Sequence, residues 1–187
     1  MRARACRGVL LLGMLLSSTP SPALELGPVT VDAREGSFFG QLRCVVHAPL
    51  AIVRAVLTDF EHMPAFVPNL EHSQILEHHG NVYRIRQRGT VHWGVFSQAF
   101  ESERRIEWFP DDHLVSEGSS EAFRRVHSDM RLLASAEETT LDYRIEMTPA
   151  GWLPAFLGAR FMRHELAEQF TALGREMERR AQLQTRH

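Results

Sequence analysis

Residues 55–76 read AVLTDFEHMPAFVPNLEHSQIL. The stretch describes the end of one helix, a short second helix interrupted by proline, and the start of a strand. The first helix is expected to begin at Pro49, because proline suits a first helical position whose N–H would be unpaired anyway. Ile52, Val53, Val56, Leu57 and Phe60 recur along one face at helical spacing. Thr58-Asp59 interrupts that helix, and the Asp59 carboxylate is expected to cap the next one. The second piece carries Met63, Phe66 and Val67 and is expected to end at Pro68. Two short helices at an angle, followed by polar Glu71-His72-Ser73, form a V. Such a V can cradle a long helix or one end of a curved sheet.

The segments around it supply both. Upstream, residues 29–36 and 37–47 read as extended. In the second of these, Phe38, Gly40, Leu42, Cys44 and Val46 alternate with Phe39, Gln41, Arg43, Val45 and His47. Downstream the pattern is β from about Glu71 to Pro149. A short strand, Ser73 to Glu77, leads to a turn at His78-His79-Gly80-Asn81. Tyr83, Ile85 and Gln87 then face opposite to Arg84, Arg86 and Arg88, and Gly89 suggests a bulge or bend. Arg105 to Phe109 and His113 to Glu117 are further strands. A last hairpin joins 123–134 to 139–148, where Leu141, Tyr143, Ile145 and Met147 alternate with Asp142, Arg144 and Glu146, giving one wet and one dry face. A final amphipathic helix is expected over 153–183, with a stripe at Leu153, Phe156, Leu157, Phe161, Leu166, Phe170, Leu173 and Met177. The order implies an α+β fold with helices gathered on one face of a curved antiparallel sheet.

The first 23 residues read differently. Arg2, Arg4 and Arg7 precede a short apolar run from Val9 to Leu16, and Ser21-Pro22-Ala23 offers a small-x-small site, so residues 1–23 are expected to be a secretory signal peptide. The apolar run is shorter than the roughly 20 residues a membrane span takes. Cleavage after Ala23 would leave 164 of the 187 residues, 24–187, as one domain. The expected destination is across the inner membrane, in the periplasm. The mature chain would keep only Cys44, expected to be a small buried apolar residue. Every basic residue is arginine. Without the leader, 18 basic residues face 23 acidic ones, a net charge of −5, which argues against a nucleic-acid footprint.

Motifs for chemistry are sparse. His164-Glu165 opens like a metal-binding HExxH helix, but position 168 is Glu, and no Cys/His cluster has zinc spacing, so no metal or other cofactor is expected. There is no G-x-S-x-G elbow and no phosphate-cradling glycine loop, so no catalytic residue is singled out and an enzyme is the less favoured reading. Tyr143 and Arg124 are the polar residues able to face an enclosed space.

The run Val56 to Glu77 resembles the START-like (SRPBCC) superfamily, in the branch of polyketide cyclases/dehydrases and coenzyme Q-binding proteins. The match lies at Asp59, Phe60, Met63, Pro64, Phe66, Val67, Pro68, Asn69, Leu70 and Ser73, and a family-like tail runs from Trp152 to Arg180. The resemblance implies a helix-grip fold: a strongly curved antiparallel sheet wrapped around the long C-terminal helix, with two short helices after the first strand. It implies a ligand cavity between sheet and helix. The aromatics could equally fill the core; the resemblance points to a pocket. Its expected ligand-binding residues are Phe60, Met63, Phe66, Trp93, Trp108, Tyr143, Trp152, Phe156 and Phe161. The first half of the last helix, with small Gly158 and Ala159, is expected to form the cavity wall. The second half is expected only to pack on the sheet, and the mouth is placed near Pro68 and Pro149. The expected function is binding of a hydrophobic small molecule, such as a lipid, a quinone or a polyketide-like compound. The alternatives are a polyketide cyclase/dehydratase-like enzyme and a protein-interaction module with a filled core. No nucleic-acid partner and no stable membrane insertion are expected.

Overall fold

The computed structural model describes residues 24–93, 96–151 and 155–185, without the side chains at 93, 96, 155 and 156. The leader and its cleavage after Ala23 therefore lie outside the described residues. The elements in chain order are β1 (Glu25–Leu26), β2 (Thr30–Arg34), β3 (Ser37–Val46), α1 (Leu50–Leu57), a 3-10 helix (Phe60–Ala65), β4 (Leu70–His79), β5 (Val82–Trp93), β6 (Phe96–Phe109), β7 (His113–Ser120), β8 (Phe123–Ala134), β9 (Thr139–Pro149) and α2 (Ala155–Gln184).

One sheet of nine strands holds the fold, in the order β1, β3, β9, β8, β7, β6, β5, β4, with β2 also paired to β3. From β4 to β9 each strand lies beside its sequence neighbour. The last strand then returns to the first long one, pairing Gln41 with Arg144 and Leu42 with Tyr143. The first hairpin turns at Glu35 and Gly36, both with positive φ (51° and 75°), the backbone that a two-residue turn of matching twist demands. The sequence reading separates the two extended segments after Gly36 but counts both turn residues as extended. Strand β6 runs unbroken for 14 residues, where the sequence reading gives Phe96 and Phe100 to the preceding strand and begins a new one at Arg105.

Gly89 marks a close crossing. The irregularity lies in the partner strand, where the register shifts between Leu70 and His72. A Cβ at position 89 would sit 1.9 Å from the Asn69 carbonyl oxygen, so only glycine lets the start of β4 pass. Thr90 N–H donates to that same oxygen at 3.0 Å.

The two short helices form with three corrections. Pro49 is the N-cap of α1, with extended backbone (φ −60°, ψ 148°), not its first helical residue. The second piece is a 3-10 helix with Pro64 inside it, and it stops at Ala65, ahead of Pro68. The Asp59 side chain makes no capping bond to that helix.

Helix α2 is 30 residues long and lies against β1 to β3 and α1. Glycine allows the approach: a Cβ on Gly158 would fall 2.2 Å from the Phe38 ring, and one on Gly40 would fall 3.0 Å from Leu166. Val46, Val53, Val56, Ile85, Leu141 and Met177 are fully buried around this seam. Among the described residues no helix is long and apolar enough to cross a membrane. A curved antiparallel sheet gripping one long C-terminal helix is the helix-grip architecture expected from the sequence.

Candidate functional site

A cavity of about 350 Å³ lies between the sheet and α2, closed at one side by the 3-10 helix. Its size falls within the range of small-molecule sites, roughly 300–1,000 Å³. Strand alternation decides what faces it. On β6, Phe100, Ser102, Arg104 and Ile106 line the cavity, while Glu101, Glu103 and Arg105 point out. Register then aligns neighbours across the sheet. Ile106 faces Ser116, Ser116 faces Ser128, and Ser128 faces Ile145, so two hydroxyls sit side by side on an apolar wall.

Among the described residues Arg104 is the one arginine on this wall. Its Nη2 donates to Gln87 Oε1. Gln87 is buried and is itself oriented, with Nε2 donating to Ser73 Oγ at 3.1 Å and lying 3.5 Å from Met63 Sδ. The Nε of Arg104 is sealed from solvent and has no hydrogen-bond partner. Gly118, its neighbour on β7, makes room for the stem, since a Cβ there would come within 2.6 Å of Arg104 Cγ. Burial pulls the Arg104 pKa down, and only Tyr143 acts in the opposite sense. Burial pushes the Tyr143 hydroxyl up, against a hydrogen bond with Ser128 and the positive charge of Arg104, so it remains a protonated donor at neutral pH. The Tyr143 ring packs on Phe170 of α2 with centroids 4.8 Å apart.

The opposite wall carries one buried acid. Glu165 on α2 accepts from Asn69 Nδ2 at 3.4 Å, and its second oxygen, Oε1, is sealed without a partner. Burial raises its pKa, with the Asn69 hydrogen bond opposing and Glu168 reinforcing the rise. Asn69 is held in the left-handed region (φ 64°) at the entry to β4, a conformation asparagine tolerates. His164, Glu165 and Glu168 bring three donor atoms within 4.8 Å of one another, the one group of this kind among the described residues able to hold a cation. The spacing argument, which asks for a second histidine at 168, does not anticipate it. His164 and Glu168 stand on the exposed helix face as an i,i+4 pair 3.7 Å apart. Cys44 is buried away from the cavity, its thiol pushed up to about 12 by burial and then by the charge of Glu178, which leaves no nucleophile there.

Of the residues the sequence nominates, Phe60, Met63, Tyr143 and Phe161 lie on the cavity wall. Phe66 does not: it lies beneath the Arg180 guanidinium, 5.6 Å from ring centroid to cation. Trp108 has the inward parity of Ile106 but lies beyond the cavity, with Arg54 of α1 over its ring at 5.3 Å. The side chains of Trp93 and Phe156, and Trp152 altogether, lie outside the described residues. Pro68 borders the cavity and Pro149 does not. The expected division of α2 is also corrected. Leu166, Phe170 and Leu173 line the cavity, while the space beside Gly158 is taken by the Phe38 ring. Arg124 is exposed at a register shift between Phe123 and Arg125.

Arg104, Gln87, Ser116, Ser128 and Glu165 are among the wall residues the sequence reading does not nominate. For Arg104 a signal existed: it shares the parity of Phe100, Ser102 and Ile106, so a charge occupies a strand position of the same face as two large apolar residues.

The family described as polyketide cyclase / dehydrase and lipid transport matches residues 46–173. Among solved structures, the fold is similar to that of an aromatase/cyclase from a Streptomyces species, at 17% identity and a TM-score of 0.66, covering 77% of this chain and 95% of that one. It is also similar to a START superfamily protein from Mycobacterium smegmatis (12% identity, TM-score 0.63, 78% and 97% covered). A STAR-related lipid transfer protein from Xanthomonas axonopodis shares it as well (14% identity, TM-score 0.59, 81% and 99% covered). No curated protein matches the sequence.

Proposed function

The chain belongs to the polyketide cyclase / dehydrase and lipid transport family of the START-like superfamily, and from that premise we propose that it is a binding module holding a hydrophobic small molecule beneath α2. A lipid, a quinone or a polyketide-like compound fits this description. The observation that carries the reading is the wall itself. Phe60, Met63, Ile106, Leu114, Met130 and Phe170 belong to a mostly apolar wall around an open space, into which polar groups including Arg104, Tyr143 and Ser116 are set, the usual make-up of a small-molecule site. The likeness to a lipid transfer protein supports the same reading through the fold. The leader anatomy of residues 1–23 supports export, so the site of action is proposed to be the periplasm.

The test is native mass spectrometry of the purified chain together with titration by the uncharged fluorophore N-phenyl-1-naphthylamine. Copurified ligand or saturable probe binding is expected, and Ser116→Phe, which places a ring inside the cavity, should abolish it in a chain that still melts cooperatively. No copurified molecule and no probe binding would overturn the reading. Intact mass of the exported form tests the leader: residues 1–23 should be missing.

One observation favours an enzyme as the second reading. The protonated Tyr143 hydroxyl and the Arg104 guanidinium are two donors beside an apolar space, an arrangement that polarises a carbonyl in a cyclase or dehydratase. Turnover of a polyketide-like substrate, lost in Tyr143→Phe with binding retained, would establish it. The open cavity argues against an interaction module with a filled core.

A further inference from the structure

We propose that the molecule bound beneath α2 is an anionic amphiphile, an apolar chain ending in a carboxylate that pairs with Arg104; this rests on the binding reading above. The arginines of this region divide sharply. Arg84 pairs with Glu77 at 3.0 Å, Arg86 with Glu103 at 2.5 Å and Arg105 with Glu107 at 2.7 Å, all on the outer face. Arg104 faces inward, and among the described residues no carboxylate pairs with it.

A cation enclosed without a counter-ion costs several kcal/mol, so its retention needs a cause. The surroundings are built to hold it there. Gly118 vacates the volume of a side chain for its stem, and Gln87, itself held by Ser73, accepts from one guanidinium nitrogen. An amide solvates the guanidinium but does not neutralise it. The sealed, unpartnered Nε leaves a donor for a further acceptor. The Tyr143 hydroxyl, which lines the same cavity, adds a second donor of different type.

A guanidinium and a phenol match the two oxygens and single charge of a carboxylate. A phosphate, with more oxygens and a second charge, would leave charge unpaired in an apolar enclosure. The remaining wall, from Ile106 and Leu114 to Phe170 and Leu173, then covers the chain of the ligand.

The test uses the full-length protein after delipidation. Displacement of N-phenyl-1-naphthylamine is measured with three probes of equal chain length: palmitate, 1-hexadecanol and hexadecyl phosphate, at a pH where palmitate is ionised. Palmitate should bind roughly tenfold or more tightly than hexadecanol, as expected for one charge-assisted hydrogen-bonded pair. Arg104→Gln should erase that preference, weakening palmitate binding roughly tenfold more than hexadecanol binding. Equal binding of palmitate and hexadecanol to the wild-type chain would overturn the proposal. So would an Arg104→Gln chain that melts normally and loses both probes alike. Preference for hexadecyl phosphate would overturn the carboxylate assignment. If Arg104→Gln does not fold, the wild-type ratio decides by itself. Failure of every probe to bind would overturn the binding reading and the inference with it, whereas binding without preference overturns the inference alone.

Discussion

The carboxylate of Asp59 accepts a hydrogen bond from Arg180 Nη2 at 2.6 Å, across 121 residues of sequence. The break between α1 and the 3-10 helix is thereby fastened to the last turns of α2. The other Asp59 oxygen lies 2.5 Å from His62 Nδ1, and Arg180 in turn donates to Glu176 at 2.7 Å. A residue expected to cap a helix locally serves as a long-range anchor.

Replacing Asp59 by Asn should therefore destabilise the chain by about 1.5–3 kcal/mol, the range for hydrogen bonds to a charged group. Arg180→Gln should cost a similar amount, and the double variant should cost less than the sum, because both remove one interaction. Denaturant unfolding of the four chains measures this. An Asp59→Asn chain as stable as wild type would show that the bond contributes nothing.

The same cluster sets an acid limit. For Asp59, burial raises the pKa, but hydrogen bonds and charge from His62 and Arg180 outweigh it and hold the carboxyl below its usual value. For Glu176, the hydrogen bond from Arg179, helped by Arg180 against burial, brings it down to about 2. Both pKa values are depressed in the folded state, so the stabilisation is fully present above the ordinary carboxylate range, about pH 4–4.5, and is lost as pH falls toward 2. Melting temperature should drop across that window in the wild type and drop less in Arg180→Gln. Parallel pH curves for the two chains would contradict this.

Gly89→Ala should be among the most damaging small substitutions in the sheet. The new Cβ would lie 1.9 Å from the Asn69 oxygen, and backbone, not a movable side chain, has to give way. A loss of about 2–3 kcal/mol or more is expected, as for overpacking in a rigid site. Gly80→Ala has open space around it and pays only for its positive φ of 60°, so it should cost less. Thermal melts of the two variants give the comparison.

Leu173 and Met177 lie one turn apart on α2, yet only Leu173 borders the cavity, while Met177 is fully buried. Met177→Ala should cost about 2–5 kcal/mol and leave probe binding unchanged. Leu173→Ala adds to a space that already exists, so it should cost less and alter binding of the fluorescent probe. Equal losses of stability with unaltered binding in both would place the cavity elsewhere.

Much of this arrangement was legible before any coordinates. Alternation along Leu141 to Met147 gave the dry face of β9, and the helical spacing of Ile52 to Leu57 gave the buried face of α1, because both depend on local periodicity. The cavity wall was harder to read. Phe66 and Trp108 looked like pocket aromatics, but which side of a ring meets a cavity depends on what lies over it, here Arg180 and Arg54 from distant parts of the chain. The role of Gly158 was likewise set by Phe38, a contact between the first long strand and the last helix. Arg104 is the instructive omission: its parity was visible, but whether an inward arginine finds an acid is decided only when β5, β6 and β7 are assembled.

The pairing of β3 with β9 has a kinetic consequence. Gln41 pairs with Arg144 across 103 residues of sequence that hold β4 to β8, and α2 follows later still in the chain. Such distant closure is slow, because the entropy of a long loop is lost before the contacts reward it. During synthesis the meander from β4 to β8 can begin to pair while β3 still waits for its neighbour. The enclosed space is thus completed only once β9 and α2, the last elements in chain order, are in place.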